Sequence, residues 1–214
     1  MTRTPAPAGF NGFGRGAFKF FEELGRHNER DWFRAHQDTY EQECREPMKL
    51  LVAELATNPA KSKVLRINRD LRFSRDKSPY RTYIAAGFDG NYAMISKLGL
   101  YVGAGIYKPE PETLKKLRAA IGNDKSGKSL EKIVAKLRGK GYDVQSHALV
   151  ASAPRGYSTD HPRIELLRMK DIYAGKMFEP EPWLSTRRAL DAVKDVIRDT
   201  RALVKWININ LGTR

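Results

Sequence analysis

The chain has 214 residues, 41% of them hydrophobic and 30% charged, and 39 Lys and Arg against 25 Asp and Glu give a formal net charge of +14. This composition is ordinary for a globular protein, and no stretch approaches the roughly 18–20 apolar residues that span a bilayer. Cys44 is the single cysteine, which excludes an internal disulfide, and the N-terminus lacks a secretory apolar region; we therefore expect a cytoplasmic protein with no membrane partner.

The positive charge is distributed unevenly along the chain. Residues 1–60 carry 8 Lys and Arg against 9 Asp and Glu, whereas residues 61–90 carry 8 against 3 and residues 91–150 carry 11 against 5. A basic surface attracts phosphate-bearing partners through its long-range field. Binding of a nucleic acid is therefore one function that the charge leaves open.

The N-terminal third predicts helices. A lead-in rich in proline and glycine, 1–15, is expected to be flexible, and it precedes a helix whose apolar residues are three apart, namely Phe18, Phe21 and Leu24. Asn28 is then expected to cap a long second helix. Pro47 cannot lie in a helix interior without loss of a hydrogen bond, so a break is expected there, followed by a further helix.

The period then changes to two, which predicts β-strands. Apolar and polar residues alternate over 64–73, and further strands are expected at 82–88 and 98–107, with a turn at Asp89 and Gly90. Arg69 is the exception in the first strand, because it shares the parity of the apolar residues. A guanidinium on the inner face needs a partner, since an unpaired buried charge is costly.

The remainder of the chain returns to helical patterns. Pro111 is expected to open a helix that ends at Gly122, and a second helix should follow the polar stretch after it. Asp160 is expected to cap a helix that ends at Gly175, and Ser185 to cap the last helix. The order of elements predicts an α+β fold in one domain, 16–214, with a central antiparallel sheet flanked by N-terminal and C-terminal helices.

Most short motifs in the chain are weak. Gly122 to Ser129, "GNDKSGKS", matches the phosphate-loop pattern, but the segment that enters it has helical spacing where that loop requires a strand, so a polar turn between helices is favoured. The four histidines show no metal-ligand spacing, and Cys44 lies on an apolar helical face, as a buried structural thiol does. The sequence indicates no metal and no cofactor.

The stretch "RINRDLRFSRDKSPY", residues 66–80, is the strongest candidate site. Its arginines offer forked donors that suit phosphate or carboxylate, and its aspartates could hold these forks in place. The alternative is an ion-pair network that only braces the fold; a metal-dependent nuclease fits poorly, because Asp76 and Lys77 are adjacent. The candidate ligand-binding residues are Arg66, Arg69, Asp70, Arg72, Asp76, Lys77, Tyr80 and, from the later helix start, His161.

This segment resembles the signature of a bacterial family of unknown function, numbered 2461. "NERDWF" at 28–33, "GAGIYKPEPETLKKLRAAI" from Gly103 and "RGYSTDHPRIELLRMK" at 155–170 resemble further blocks of that family, so that the resemblance covers nearly the whole chain. It implies that the polar residues of 66–80 belong together, and it carries no activity with it. We expect an anionic small molecule or a nucleic acid as partner, with catalysis and oligomeric state left open.

Overall fold

A computed structural model describes residues 9–72 and 74–212 of the chain. These residues form helices and one antiparallel sheet, which confirms the α+β class. The chain divides into two compact units, one of Met1–Val102 with Met177–Asp195 and the other of Gly103–Lys176 with Val196–Arg214; a single domain over 16–214 stays a prediction. Among the described residues, no helix has both the length and the apolar character needed to cross a bilayer.

The sheet has six strands. They are β1 (Lys63–Val64), β2 (Tyr83–Phe88), β3 (Asn91–Ser96), β4 (Gly99–Ile106), β5 (Asp143–Gln145) and β6 (Ile172–Phe178), in the order β1-β2-β3-β4-β6-β5. The predicted turn is confirmed: β2 and β3 form a hairpin in which Asp89 and Gly90 have φ of 48° and 78°. Positive φ at both central residues is typical of the hairpin turn that matches the twist of the strands.

The first unit begins with α1 (Arg15–Arg26), as predicted. Its apolar face buries Ala17, Phe18, Phe20, Phe21 and Leu24. Part of the predicted lead-in lies outside the described residues. In the described part, Phe10 and Phe13 are fully buried and meet edge to face, with their ring centroids 5.1 Å apart.

Four helical pieces then follow one another almost without interruption. They are α2 (Arg30–Ala35), α3 (Gln37–Thr39), a π-helical turn (Tyr40–Arg45) and α4 (Glu46–Leu55). The predicted break near Pro47 takes the form of this π-helical turn, because proline has no N–H to donate to the carbonyl of Glu43. The prediction that Asn28 caps this run is wrong: Glu29 occupies the cap position, and Asn28 is bonded elsewhere.

The second unit contains α5 (Pro111–Gly122), α6 (Asp124–Gly139), the short α7 (Ile164–Leu167) and the C-terminal part of α8 (Arg188–Leu211). Asn123 separates α5 from α6, and its side-chain oxygen accepts hydrogen bonds from the backbone N–H groups of Lys125 and Ser126 at 3.0 and 3.1 Å. The phosphate-loop pattern thus lies on the end of one helix and the first turns of the next. A helix enters it, as the spacing predicted.

One long prediction in this region is wrong. The segment from Asp160 to Gly175 is helical only over Ile164–Leu167, and residues from Ile172 onward form β6. In β6, Ile172 and Ala174 are buried and face the core with the two-residue period of a strand. Ile164, Leu167 and Ile172 satisfied the helical pattern as well, and pairing with neighbouring strands decided the outcome.

Candidate functional site

Residues 66–80, the signature segment, form an irregular loop between β1 and β2. The regular strand ends at Val64, so the predicted strand over 64–73 is wrong beyond that point; Phe73 lies outside the described residues. Close to the base of the loop, Asn68 pairs with Tyr80 in an isolated bridge, and the N–H groups of Arg69 and Arg81 donate to Pro79 O and Ile67 O. The two arms are therefore held together, while the described residues of the tip, 70–72 and 74–78, form no ladder bonds.

The alternating apolar and polar residues do not form a strand, because the aspartate side chains accept hydrogen bonds from nearby backbone N–H groups instead. Asp70 Oδ1 accepts from the backbone N–H of Arg72 at 3.2 Å and from its Nε at 3.0 Å, and Oδ2 accepts from Nη2 at 2.7 Å. These hydrogen bonds from Arg72 lower the pKa of Asp70. Both side chains are exposed, so solvent screens the pair and it contributes little to stability.

Arg69 is the residue that ties the tip to its base. Its side chain is only 25% exposed, its Nη1 forms a close ion pair with Asp76, and its Nη2 donates to Ser74 Oγ at 3.2 Å. Asp76 also accepts from the N–H of Ser78 at 2.9 Å, and the hydrogen bonds from Ser78 and Arg69 hold its pKa well below the usual range. The prediction that the inward guanidinium has a partner is confirmed.

Tyr80 anchors the other end of the segment. It is buried, and its ring stacks on Phe33 with centroids 4.1 Å apart and planes at 21°. The side chain of Asn28 makes two hydrogen bonds to the backbone of Tyr80, accepting from its N–H at 3.0 Å and donating to its carbonyl at 2.9 Å. The segment "NERDWF" and the signature segment therefore meet at Tyr80, which fixes the fold there; a contact of Tyr80 with a ligand stays a prediction.

Three further cations belong to this loop, and Arg81 adjoins it. Arg66 and Arg75 are exposed, and within the part of the chain that the structure describes neither side chain forms an ion pair or a hydrogen bond. Lys77 Nζ donates to Leu71 O at 3.2 Å, and Arg81 Nη1 donates to Arg66 O at 2.6 Å. A backbone carbonyl fixes a cation without cancelling its charge, so the loop retains an excess of positive charge.

His161 belongs to the second unit. Its Nδ1 accepts from the backbone N–H of Arg163 at 3.0 Å, and its ring meets that of Tyr157 edge to face. Arg163 is itself buried: its guanidinium donates to Ile121 O at 2.7 Å and to Asp124 Oδ1 at 2.9 Å, where it joins the end of α5 to the start of α6. A place for His161 beside the signature segment stays a prediction.

Sequence reasoning missed one buried polar cluster in the second unit. Asp171 is fully buried and accepts hydrogen bonds from Lys108 N at 2.8 Å, Ser146 Oγ at 2.7 Å, His147 N at 2.9 Å and His147 Nδ1 at 2.5 Å. Burial alone would raise the pKa of Asp171, but these hydrogen bonds outweigh it and lower the pKa. Lys108 has φ of 47°, the left-handed backbone that aims its N–H at the carboxylate.

No sequence spacing pointed to this cluster, because His147 and Asp171 are 24 residues apart and the prediction placed Asp171 inside a helix. The cluster ties the turn after β4 to the loop after β5 and to the start of β6.

Cys44, by contrast, is buried as predicted, and burial raises the pKa of its thiol. Within residues 9–72 and 74–212, no three His, Cys, Asp or Glu side chains are grouped so that they could hold a metal ion.

Comparison with known proteins gives the chain a family. No curated protein matches it. A family model described as a conserved hypothetical protein (DUF2461) matches residues 16–206, which include the signature segment, both blocks that meet at Tyr80, and the Asp171 cluster. Since the match covers most of the 214 residues, the chain belongs to this family of uncharacterised proteins.

Proposed function

We propose that the signature segment, with the adjoining Arg81, binds a small molecule that bears a phosphate or carboxylate group. One observation carries the proposal. Residues 66–81 contain six Lys and Arg against two Asp, and each carboxylate is already engaged by an arginine of the loop, Asp76 by Arg69 and Asp70 by Arg72. Arg66, Arg75, Lys77 and Arg81 therefore remain without a carboxylate partner among the described residues.

The bracing contacts favour binding, because they order the loop before any ligand arrives. The ion pair of Arg69 with Asp76 closes the tip, and the hydrogen bonds of Lys77 and Arg81 to backbone carbonyls restrict two of the excess cations. A ligand that meets ordered side chains loses less conformational entropy on binding, which increases affinity. Bracing and binding are in this respect two roles of one structure.

The residue types set the ligand chemistry. Arg66 and Arg75 offer guanidinium forks that match two oxygens of one phosphate or carboxylate, and Lys77 offers a point charge. A phosphate monoester carries up to two negative charges at neutral pH and should bind more tightly than a monocarboxylate. The segment contains neither histidine nor cysteine, so we propose binding by this loop and assign it no reaction.

The test removes unpaired charge from the segment and leaves the Arg69–Asp76 and Asp70–Arg72 ion pairs in place. The variant Arg66→Gln, Arg75→Gln, Lys77→Gln is compared with Lys19→Gln, Lys61→Gln, Lys97→Gln, which removes three exposed cations elsewhere in the first unit. In titration calorimetry with inorganic phosphate at low salt, the wild type and the control should bind alike, and the loop variant about tenfold or more weakly. Equal binding by all three proteins, or none by the wild type, would contradict the proposal.

Binding of a nucleic acid is the second candidate function, and the charge of the second unit favours it. That unit contains 19 Lys and Arg against 9 Asp and Glu, a net +10, whereas the first unit contains 20 against 16, a net +4. Such a concentration of positive charge attracts a polyanion more strongly than a singly charged ligand.

A further inference from the structure

We infer that the groove between α6 and α8 in the second unit binds a single strand of nucleic acid through its phosphates. The inference gives the second candidate function a site and does not depend on anion binding by the signature segment. The groove encloses about 510 Å³ and is lined by Ser129, Lys132, Ile133, Lys136, Leu137, Lys140, Arg198, Asp199 and Ala202. Four of these nine residues are cations and one is an anion.

Hydrogen bonds at both ends of the groove fix its two walls. At one end, Trp206 Nε1 of α8 donates to Ser126 O of α6 at 2.9 Å. At the other end, Lys140 Nζ donates to Asp199 Oδ1 at 2.6 Å. Ser126 near the start of α6 meets Trp206 near the end of α8, and Lys140 just after α6 meets Asp199 in the middle of α8, so the two helices run in opposite directions. The groove between them is part of the fold before any ligand binds.

The cations form a row that extends beyond the groove itself. On α6 and the residue after it, all the lysines of one helical face are exposed, at positions Lys125, Lys128, Lys132, Lys136 and Lys140. At 1.5 Å per residue this row is about 22 Å long, with about 6 Å between lysines four residues apart. On α8, Arg198 lines the opposite wall, and Arg201 and Lys205 follow it as exposed cations at helical spacing. A row of this length suits a polymer of charges better than a single phosphate.

Asp199, the one carboxylate that lines the groove, is neutralised by neighbouring residues. Asp199 accepts from Lys140 and, at 3.0 Å, from the hydroxyl of Tyr142, and the hydrogen bond from Lys140 is the main cause that lowers its pKa. Lys132 and Lys136 form no ion pair among the described residues. The remaining charge of the groove is therefore positive and exposed to an incoming strand.

The floor of the groove favours a single strand over a duplex. The bases of a duplex are stacked inside it, whereas those of a single strand are free to contact an apolar surface. Ile133, Leu137 and Ala202 supply an aliphatic floor, which can contact unstacked bases and sugars without reading their sequence. We expect weak sequence preference and strong dependence on salt.

The experiment measures fluorescence anisotropy of a labelled oligothymidylate of about 20 nucleotides, and of a labelled duplex of the same length, at about 50 and 200 mM KCl. The groove variant is Lys132→Gln, Lys136→Gln, Arg198→Gln, and the matched control is Lys115→Gln, Lys116→Gln, Arg155→Gln, which removes equal charge from exposed positions of the same unit. Glutamine has a helix propensity close to that of lysine and arginine, and circular dichroism checks that each variant is folded.

The groove variant should bind at least about tenfold more weakly, and the slope of log affinity against log salt should become shallower by about 2, since each contact with a single strand contributes about 0.7. The control and the signature-segment variant should both keep wild-type affinity within about threefold. Equal losses in groove variant and control would overturn the inference, because a diffuse field would then explain binding. Tighter binding to duplex than to the single strand, or no binding by the wild type, would overturn it as well.

Discussion

Replacement of Asn28 by alanine should destabilise the protein far more than its half-exposed position suggests. The amide of Asn28 makes two hydrogen bonds to the backbone of the buried Tyr80, at 3.0 and 2.9 Å. The loss of each bond leaves a backbone group of the buried Tyr80 without its partner, which costs about 1.5 kcal/mol. We expect a loss of about 3 kcal/mol, which lowers Tm by about 6–12 °C in a chain of this length.

Urea unfolding gives the free energy, and hydrogen exchange of the Tyr80 amide reports the bond itself. Asn28→Asp keeps an acceptor for the Tyr80 N–H but loses the donor, so its effect should be intermediate. Asn58→Ala changes an exposed asparagine whose side chain caps nothing, and it should stay within about 0.5 kcal/mol of the wild type. If Asn28→Ala were no more destabilising than Asn58→Ala, the view that this clamp braces the signature segment would be refuted.

Three further outcomes are expected. Asp171→Asn should lower the free energy of unfolding by about 2–4 kcal/mol at pH 7, because a buried network loses a charged acceptor. Since the pKa of Asp171 is lowered in the folded state, the wild-type advantage is present above the unfolded pKa and is lost as pH falls through the folded pKa. Urea unfolding of both proteins at pH 7 and near pH 3 should therefore show a smaller difference at the lower pH. Gly127→Ala should destabilise the protein by about 1–3 kcal/mol, because the added Cβ would lie 2.5 Å from Arg163 Nε. Gly139→Ala in the last turn of α6 should be neutral or stabilising, because open space surrounds the added Cβ. Thermal unfolding compares the two variants. Cys44 should react with a thiol reagent about a hundredfold more slowly in the native protein than in urea, because burial raises its pKa, and equal rates would mean that α1 and the π-helical turn open readily.

The elements that sequence patterns predicted well are those with a strong local signal. The hairpin at Asp89 and Gly90 follows from residues that tolerate positive φ, and α1 follows from three apolar residues on one helical face. The strand β6 was missed because the buried residues around Ile172 fit two periods in a short window. Only its neighbours in the sheet decide between them, and a single sequence does not contain those neighbours in readable form.

In the candidate site, too, features with a local sequence signal were predicted and those decided by the folded chain were not. Because Arg69 occupies a position in the alternating pattern otherwise taken by apolar residues, the sequence correctly predicted that its guanidinium needs a partner. The alternation around it was misread as a strand, because Asp70 and Asp76 bond to the backbone two residues onward and so favour turns over a ladder. Asp171 and its four donors come from three separate segments, and only the folded chain brings them together.

The π-helical turn at Tyr40–Arg45 lets the N-terminal helices tolerate the loss of one residue. A π-helical turn holds one residue more than an α-helical turn over the same rotation, so deletion of one residue there would convert it to ordinary α-helix and leave the helices before it in nearly the same orientation relative to α4. Deletion of one residue within α4 would instead rotate those helices by about 100°. Phe33 would then leave the ring of Tyr80, and the clamp at Asn28 would be lost with it. Natural variants of this protein should therefore tolerate loss of a single codon in 40–45 more readily than in α4.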